Sequence, residues 1–348
     1  MERLKVPCVT CGKFVGGEPT ARQFREKGFV LHTHSWRRAV AATALLITAA
    51  TTLSGCGSDP GDSDTAAPAA GVTIAGVRIT RDAKLHAALP AAVRSAGAVR
   101  VATDVPYAPF VMFVAEGKPE LTGLDYDLGQ ALGAKLGVRF TFTAQKFDGI
   151  VPAIQAGKFD AVMSAMTDTK ERQQVLDFVD YSVSGSGILV TEGNPYHITE
   201  LDDLCGKKVG AEAATHQVDV LKAHQAACAD AGKRPVFIQT FPKDSDAQLA
   251  LRSRKVAADL LTKPAAGWTA ETADGGRAFD VVDDPEAVGG YEATPNGIGV
   301  TKRLPGLTDA IQKAVQTLID DGTLRRICAK YGVASIAVQE ATKNAAVS

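Results

Sequence analysis

Between residues 82 and 333 short apolar runs alternate with amphipathic stretches, which predicts strands followed by helices. Residues 82–96 are an amphipathic lead-in, with Leu85, Leu89 and Val93 at four-residue steps. A first set reads as strand 99–103, loop 104–110, helix 126–136, strand 140–143, helix 147–156 and strand 160–163, and strand 188–191 leaves it. A second set reads as short helix 201–204, strand 208–211, helix 216–229, strand 235–240, helix 244–253, strand 256–261, helix 264–272 and strand 279–282. Residues 296–301 form a return strand, followed by helices 307–320 and 323–331. The shared order predicts two α/β units, each a parallel-type sheet covered by helices. Two crossings, at 188–191 and near Gly297, make a hinge. Ligands of such folds sit at strand C-terminal ends, in the cleft between units.

The stretch from Ala161 to Phe178 concentrates candidate chemistry. Ala161-Val162-Met163 ends a buried strand, and the hydroxyls of Ser164, Thr167 and Thr169 follow. Asp168 with Glu171 gives a helix N-cap pattern. Arg172 then falls in the first turn, where the helix dipole disfavours a cation. Two readings stay open: Arg172 reaches back over the strand end to clamp an anion, or Lys170, Glu171 and Arg172 form a solvated face.

The chain has 348 residues, enough for two lobes, and its 45% apolar content supplies cores for both. A net charge of −1 gives no reason to expect nucleic acid. Trp36-Arg37-Arg38 precedes an apolar stretch, residues 39–53, too short and alanine-rich to span a membrane; it reads as a secretory signal. The stretch ends in Leu53-Ser54-Gly55-Cys56, which resembles the lipobox of bacterial lipoproteins, with lipidation on Cys56. Residues 57–71 form a Ser/Asp/Ala/Pro/Gly tether. Residues 1–29 make an unusually long leader, and a start at Val30 would give an ordinary one. Cys8-x-x-Cys11 has no second pair to complete a zinc site. Cys205 and Cys228, each beside a surface turn, are expected to form a disulfide worth roughly 3 kcal/mol by loop entropy. Cys328 is a small buried helix residue, and no metal or cofactor is implied.

A series of short motifs carries a family resemblance. Residues 100–104 (RVATD), Tyr107-Ala108-Pro109-Phe110, residues 121–128 (LTGLDYDL) and residues 157–161 (GKFDA) occur in order. Arg172, Asp177-Phe178, residues 204–210 (LCGKKVG) and Asp321-Gly322-Thr323-Leu324 follow. Together they resemble the polar-amino-acid group, family 3, of bacterial extracellular solute-binding proteins, the receptors of ABC importers. The resemblance implies an α/β, two-lobed type II flytrap fold with two hinge crossings. It divides the chain into signal 1–55, tether 56–71, a first lobe of 72–190 plus 296–340, a second lobe of 191–295 and a tail of 341–348. Tyr107 and Phe147 would stack on the ligand, Asp104 would meet a polar or basic ligand side chain, and Arg172 would grip its carboxylate. Ser164, Thr167, Thr215 and Gln217 would donate hydrogen bonds, and His216 is either solvated or a pH-sensitive contact.

The second lobe departs from the pattern. Thr262 stands where relatives place an aspartate for the ligand ammonium, Lys263 follows it, and Ala257 replaces an earlier aspartate. Asp259 and Glu292 are possible substitutes. The resemblance implies a monomeric, lipid-anchored receptor on the outer face of the cell membrane. It would capture a small carboxylate-bearing solute, an amino acid or a derivative, for an ABC permease. A dehydratase-like enzyme on the same fold and a ligand-sensing lipoprotein for a signalling partner are the alternatives.

Overall fold

The computed structural model describes residues 71–346. The signal, Cys8, Cys11, the Cys56 lipobox and the tether before Gly71 lie outside them. A hairpin of Val72–Ile74 and Val77–Ile79, not anticipated from the sequence, leads into helices Ala83–Ala88 and Ala91–Ala96. Asp82 caps the first of these, accepting from the N–H groups of Lys84 and Leu85 at 2.8 and 3.1 Å.

Nine strands form one continuous sheet among the described residues. In the first lobe Arg139–Ala144, Ala98–Thr103 and Ala161–Val162 run parallel. In the second, Phe237–Phe241, Lys208–Glu212 and Ala258–Thr262 do the same. Two long strands join the halves antiparallel to each other: Leu176–Thr191 and Tyr291–Thr301. The sheet is therefore mixed, where the strand–helix alternation pointed to parallel pairing throughout.

Helix Leu124–Leu136 buries Leu124, Leu128, Ala131, Leu132 and Leu136, spacings that place them on one face. Helix Leu307–Asp320 likewise buries Leu307, Ala310, Ile311, Ala314, Val315 and Leu318 on the same core. Each fully buried leucine contributes about 1.5–3 kcal/mol. The second lobe has its own core around Val209, Leu221, Cys228 and Leu260.

The two long strands approach most closely at glycines. Gly185 N–H donates to Gly289 O at 2.9 Å, and a Cβ on Gly185 would fall 2.3 Å from the Gly290 carbonyl carbon. Gly290 has φ +95°, which other residues adopt only with strain.

Several boundaries differ from the sequence reading. The Arg172 helix is a single turn, Lys170–Gln173, capped by Thr169 and not Asp168; Thr169 Oγ1 accepts from Arg172 N–H at 3.2 Å. The expected helix 216–229 breaks at His224 into His216–Ala223 and Gln225–Asp230. Cys205 and Cys228 are disulfide-bonded, with Cα atoms 5.6 Å apart. Cys328 is buried in helix Thr323–Lys330, where burial pushes its thiol up to about 12. The segment after Ala337 packs back on the first lobe: Thr342 Oγ1 donates to Asp180 Oδ2 at 2.8 Å, and Ala341 and Ala346 are buried.

Candidate functional site

Four candidate side chains stand at strand C-terminal ends, where the two lobes face each other. Asp104 follows strand Ala98–Thr103, Ser164 follows Ala161–Val162, Glu212 ends Lys208–Glu212 and Thr262 ends Ala258–Thr262. A cavity of about 10 Å³ lies between them, lined by Tyr107, Phe147, Ser164, Ala165, Thr167, Glu212, Thr215, His216, Gln217 and Thr262. A groove of about 510 Å³ continues outward past Phe147, Arg172, Ala214 and Thr215. The structure thus places nine of the ten expected ligand residues on two adjoining spaces: eight line the cavity, and Arg172 lines the groove. Asp104 lies just behind, its carboxyl facing that of Glu212.

Local structure fixes the first-lobe wall. Asp125, fully buried in helix Leu124–Leu136, accepts from Ala165 N–H at 2.7 Å and from Tyr181 OH at 2.5 Å. This holds the turn 164–167, where Ala165 has φ +46°. Gly297 N–H donates to Met166 O at 2.9 Å and Asp168 N–H to Pro295 O at 2.9 Å, tying the turn to the hinge strand. Asp168 spends its oxygens on Gln173 Nε2 and Ala346 N–H, and so caps no helix. The Tyr107 loop contains two cis-proline bonds, Val105–Pro106 and Ala108–Pro109.

Arg172 bridges the lobes. Its Nη1 donates to Thr167 O at 2.7 Å in the first lobe and its Nη2 to Ala214 O at 2.9 Å in the second. The guanidinium lies 5.5 Å from the Phe147 ring centroid. Burial lowers its pKa to about 10, so it remains a cation at neutral pH. A guanidinium has five N–H groups; those not held by the two carbonyls remain available to an anion. The side chain is half-buried, which disfavours the wholly solvated face.

Tyr107 also spans the cleft: its hydroxyl accepts from Thr262 N–H at 3.0 Å and bonds Thr262 Oγ1 at 3.0 Å. Ser164 Oγ accepts from Asp104 N–H at 2.9 Å, which leaves its own proton to donate. Thr215 Oγ1 donates inward to Glu212 O at 2.7 Å, and Gln217 Nε2 to Ser186 Oγ at 3.3 Å. Thr167 Oγ1 makes only a long bond, 3.5 Å, to Asn296 Oδ1. His216 is half-buried in the cavity wall, and burial together with Arg172 lowers its pKa.

The lysine after Thr262 does not face the cavity: Lys263 Nζ donates to Ala287 O at 2.9 Å. Ala257 is core. Of the two possible substitute acids, Glu292 is exposed, while Asp259 is fully buried beneath helix Asp244–Arg252 with no partner for either oxygen. The sequence reading missed Glu212 and Asp244. Glu212 ends its strand and lines the cavity, while Asp244 is buried at the start of its helix; a charged residue closing an otherwise apolar strand, as in KVGAE, is the available signal for Glu212. His224, paired in sequence only with His216, lies 3.1 Å from Asp202 Oδ1 and 3.9 Å from Cys205 Sγ, away from the cleft.

Comparison with known proteins agrees with this geometry. The model for bacterial extracellular solute-binding proteins, family 3, matches residues 99–334. The arginine-binding protein ArgT of Corynebacterium glutamicum is 29% identical, over 88% of this chain and 96% of that protein. The lysine/arginine/ornithine-binding periplasmic protein of Escherichia coli is 31% identical, over 73% and 93%. The crystal structure of the ancestral amino acid-binding protein AncCDT-1, a precursor of cyclohexadienyl dehydratase, aligns with a TM-score of 0.60 at 30% identity, covering 69% of this chain and 97% of that one. The fold is the two-lobed type II architecture of these periplasmic binding proteins. This chain belongs to the bacterial extracellular solute-binding proteins, family 3.

Proposed function

We propose that the protein is a receptor that closes on an amino acid or a related small carboxylate and delivers it to an ABC permease. The observation that carries this reading is Arg172: a cation at the seam, held by one carbonyl from each lobe, over an aromatic ring. A ligand carboxylate meeting the remaining N–H groups would take the place of the Ala214 carbonyl and draw the lobes together. Tyr107 and Phe147 cover the ligand stem, and Ser164 offers a hydroxyl proton. The relatives' names supply amino acids as the ligand class. Signal, lipobox and tether complete the reading: lipidation of Cys56 would hold a monomeric receptor at the outer face of the cell membrane. Cys56→Ser is expected to leave unprocessed, unlipidated precursor; normal maturation would contradict the anchor.

The function is tested by a thermal-shift panel of basic, acidic, amide and aromatic amino acids beside carboxylates lacking an amine. A ligand at a hundred times its dissociation constant adds about 2.7 kcal/mol of stability. A panel without any stabilising carboxylate would contradict the reading.

One observation favours a second reading, a dehydratase. Burial and neighbouring acids push Glu212 up to about 10, giving the cleft a protonated carboxyl of the kind a general acid requires. Turnover of a cyclic prephenate-like acid by purified protein would favour the enzyme; binding without turnover favours the receptor.

A further inference from the structure

Away from the cleft, the second lobe brings together two short spacings, Asp202-x-x-Cys205 and His224-x-x-x-Cys228. Asp202 lies in the short helix Leu201–Leu204, and Cys205 closes it, its N–H donating to Asp202 O at 3.4 Å. His224 stands at the break between helices His216–Ala223 and Gln225–Asp230. Its carbonyl accepts from Cys228 N–H at 3.2 Å, the reach of one helical turn, so both side chains leave the same face. Gln225 fastens this turn to the next segment: its Nε2 donates to Val236 O at 3.0 Å and its Oε1 accepts from Val236 N–H at 2.9 Å.

One ring atom of His224 faces the whole group. Its Nε2 lies 3.1 Å from Asp202 Oδ1 and 3.9 Å from Cys205 Sγ. Nε2 and the sulfurs of Cys205 and Cys228 all lie within 4.8 Å of one another. A tetrahedral zinc with bonds of about 2.0–2.3 Å holds neighbouring ligand atoms about 3.3–3.8 Å apart. The Asp202–His224 and His224–Cys205 separations bracket that range. The two sulfurs, joined to each other here, have to part, and side-chain rotation allows this with the Cα atoms 5.6 Å apart. Cys228 is buried, Cys205 and His224 are half-buried, and Asp202 is exposed, which leaves an entry path from solvent. Two thiolates and a carboxylate leave a dication with one negative charge in excess. Lys207 and Lys233 stand beside it, donating to Asp203 O at 2.6 Å and Asp202 O at 3.1 Å, and favour that charge.

We propose that the second lobe carries a thiol-gated zinc site, in which Cys205, Cys228 and His224 Nε2, completed by Asp202, hold Zn2+ when the disulfide is reduced. A dithiol supplies the two electrons: its two S–H groups become a disulfide as the Cys205–Cys228 bond breaks to two thiols. Zinc displaces both thiol protons to solvent, and His224 binds through Nε2 with its ring hydrogen on Nδ1. Oxidation of the two thiolates by a disulfide oxidant runs the cycle back: the S–S bond re-forms and Zn2+ leaves. Metal and disulfide close the same loop, so the lobe keeps a cross-link in both redox states. Thiolate and imidazole donors select zinc over calcium and magnesium, which take oxygen ligands. The site is independent of Arg172 and the cleft.

The test titrates the purified protein with Zn2+ and with Co2+, oxidised and after reduction by dithiothreitol that is then removed without air. The reduced wild type is expected to take up one more equivalent of metal than the oxidised form and to show the thiolate-to-cobalt charge-transfer absorption of a tetrahedral site. Zinc should also restore the melting temperature that reduction lowers. Partners outside the ligand shell alone change metal affinity by about 10–100-fold, so His224→Ala, which removes a ligand, should weaken zinc by about a hundredfold or more and abolish the thermal recovery. An oxidised His224→Ala protein that melts close to the wild type shows that the variant folds. Where it melts lower, Asp202→Asn decides, with an expected loss of about tenfold in zinc affinity. The cysteines outside the pair are common to every protein compared. Zinc bound equally by oxidised and reduced protein, or equally by the reduced wild type and the deciding variant, overturns the proposal. So does a disulfide that dithiothreitol leaves intact in the folded protein.

Discussion

Arg172 occupies the first turn of a four-residue helix, where the dipole disfavours its charge, and the carbonyls of Thr167 and Ala214 offset that cost. Arg172→Ala should weaken a carboxylate ligand by about 1.5–3 kcal/mol, the scale of a charged hydrogen bond, as measured by titration calorimetry. Unchanged affinity would remove the clamp from the mechanism. This residue was legible because its local position is wrong for an isolated helix. The cap beside it is ambiguous for an equally local reason: Asp168 and Thr169 are both good caps, and only the tertiary bonds of Asp168 to Gln173 and Ala346 decide between them. The acids behind the cleft were harder to see. Asp259 stands out only as an aspartate in a strand, and Glu212 and Asp244 are far from it in sequence; what joins them is the pairing of strands and the seating of helix Asp244–Arg252.

Helices 307–320 and 124–136 were readable because their buried positions repeat at helical spacing over several turns. The hinge strands were readable only in part. Leu176–Thr191 runs for 16 residues, but Asp177, Asp180, Ser182, Ser184 and Gly185 interrupt its apolar pattern. These polar residues pair with the C-terminal segment and the return strand, contacts that hydropathy does not record. Two predictions belong to such elements. Gly290→Ala should destabilise the protein by about 1–3 kcal/mol in denaturant unfolding, because φ is +95° and the new Cβ would meet Gly185 backbone at 2.6 Å. Wild-type stability in that variant would mean the crossing is not held this tightly. Cys228→Ser should cost about 3 kcal/mol by opening the loop that Cys205 closes. An unchanged midpoint under oxidising conditions would show that the loop is constrained without the bridge.

Both lobes carry buried acids whose pKa values lie above their ordinary range. Burial raises Asp125 and Asp244 to about 7 and Asp180 to about 6; burial and Asp104 raise Glu212 to about 10. A carboxyl whose folded pKa is raised binds more protons folded than unfolded. Its stability contribution is present below the unfolded value near 4 and is lost as pH rises through the folded value. Asp82, Asp203, Asp284 and Asp309 are shifted down, so their contribution is lost only on acidification below about 4. The ligand-free protein should therefore melt higher near pH 5 than near pH 8, and a melting temperature rising over that interval would contradict the closed, acid-lined cleft. The central claim, that the lobes close on a carboxylate held by Arg172, is tested most directly by calorimetric titration of wild-type and Arg172→Ala protein with the amino acid that gives the largest thermal shift. Saturable binding to the wild type and a loss of about tenfold or more in the variant are expected. Equal binding by both proteins would contradict it.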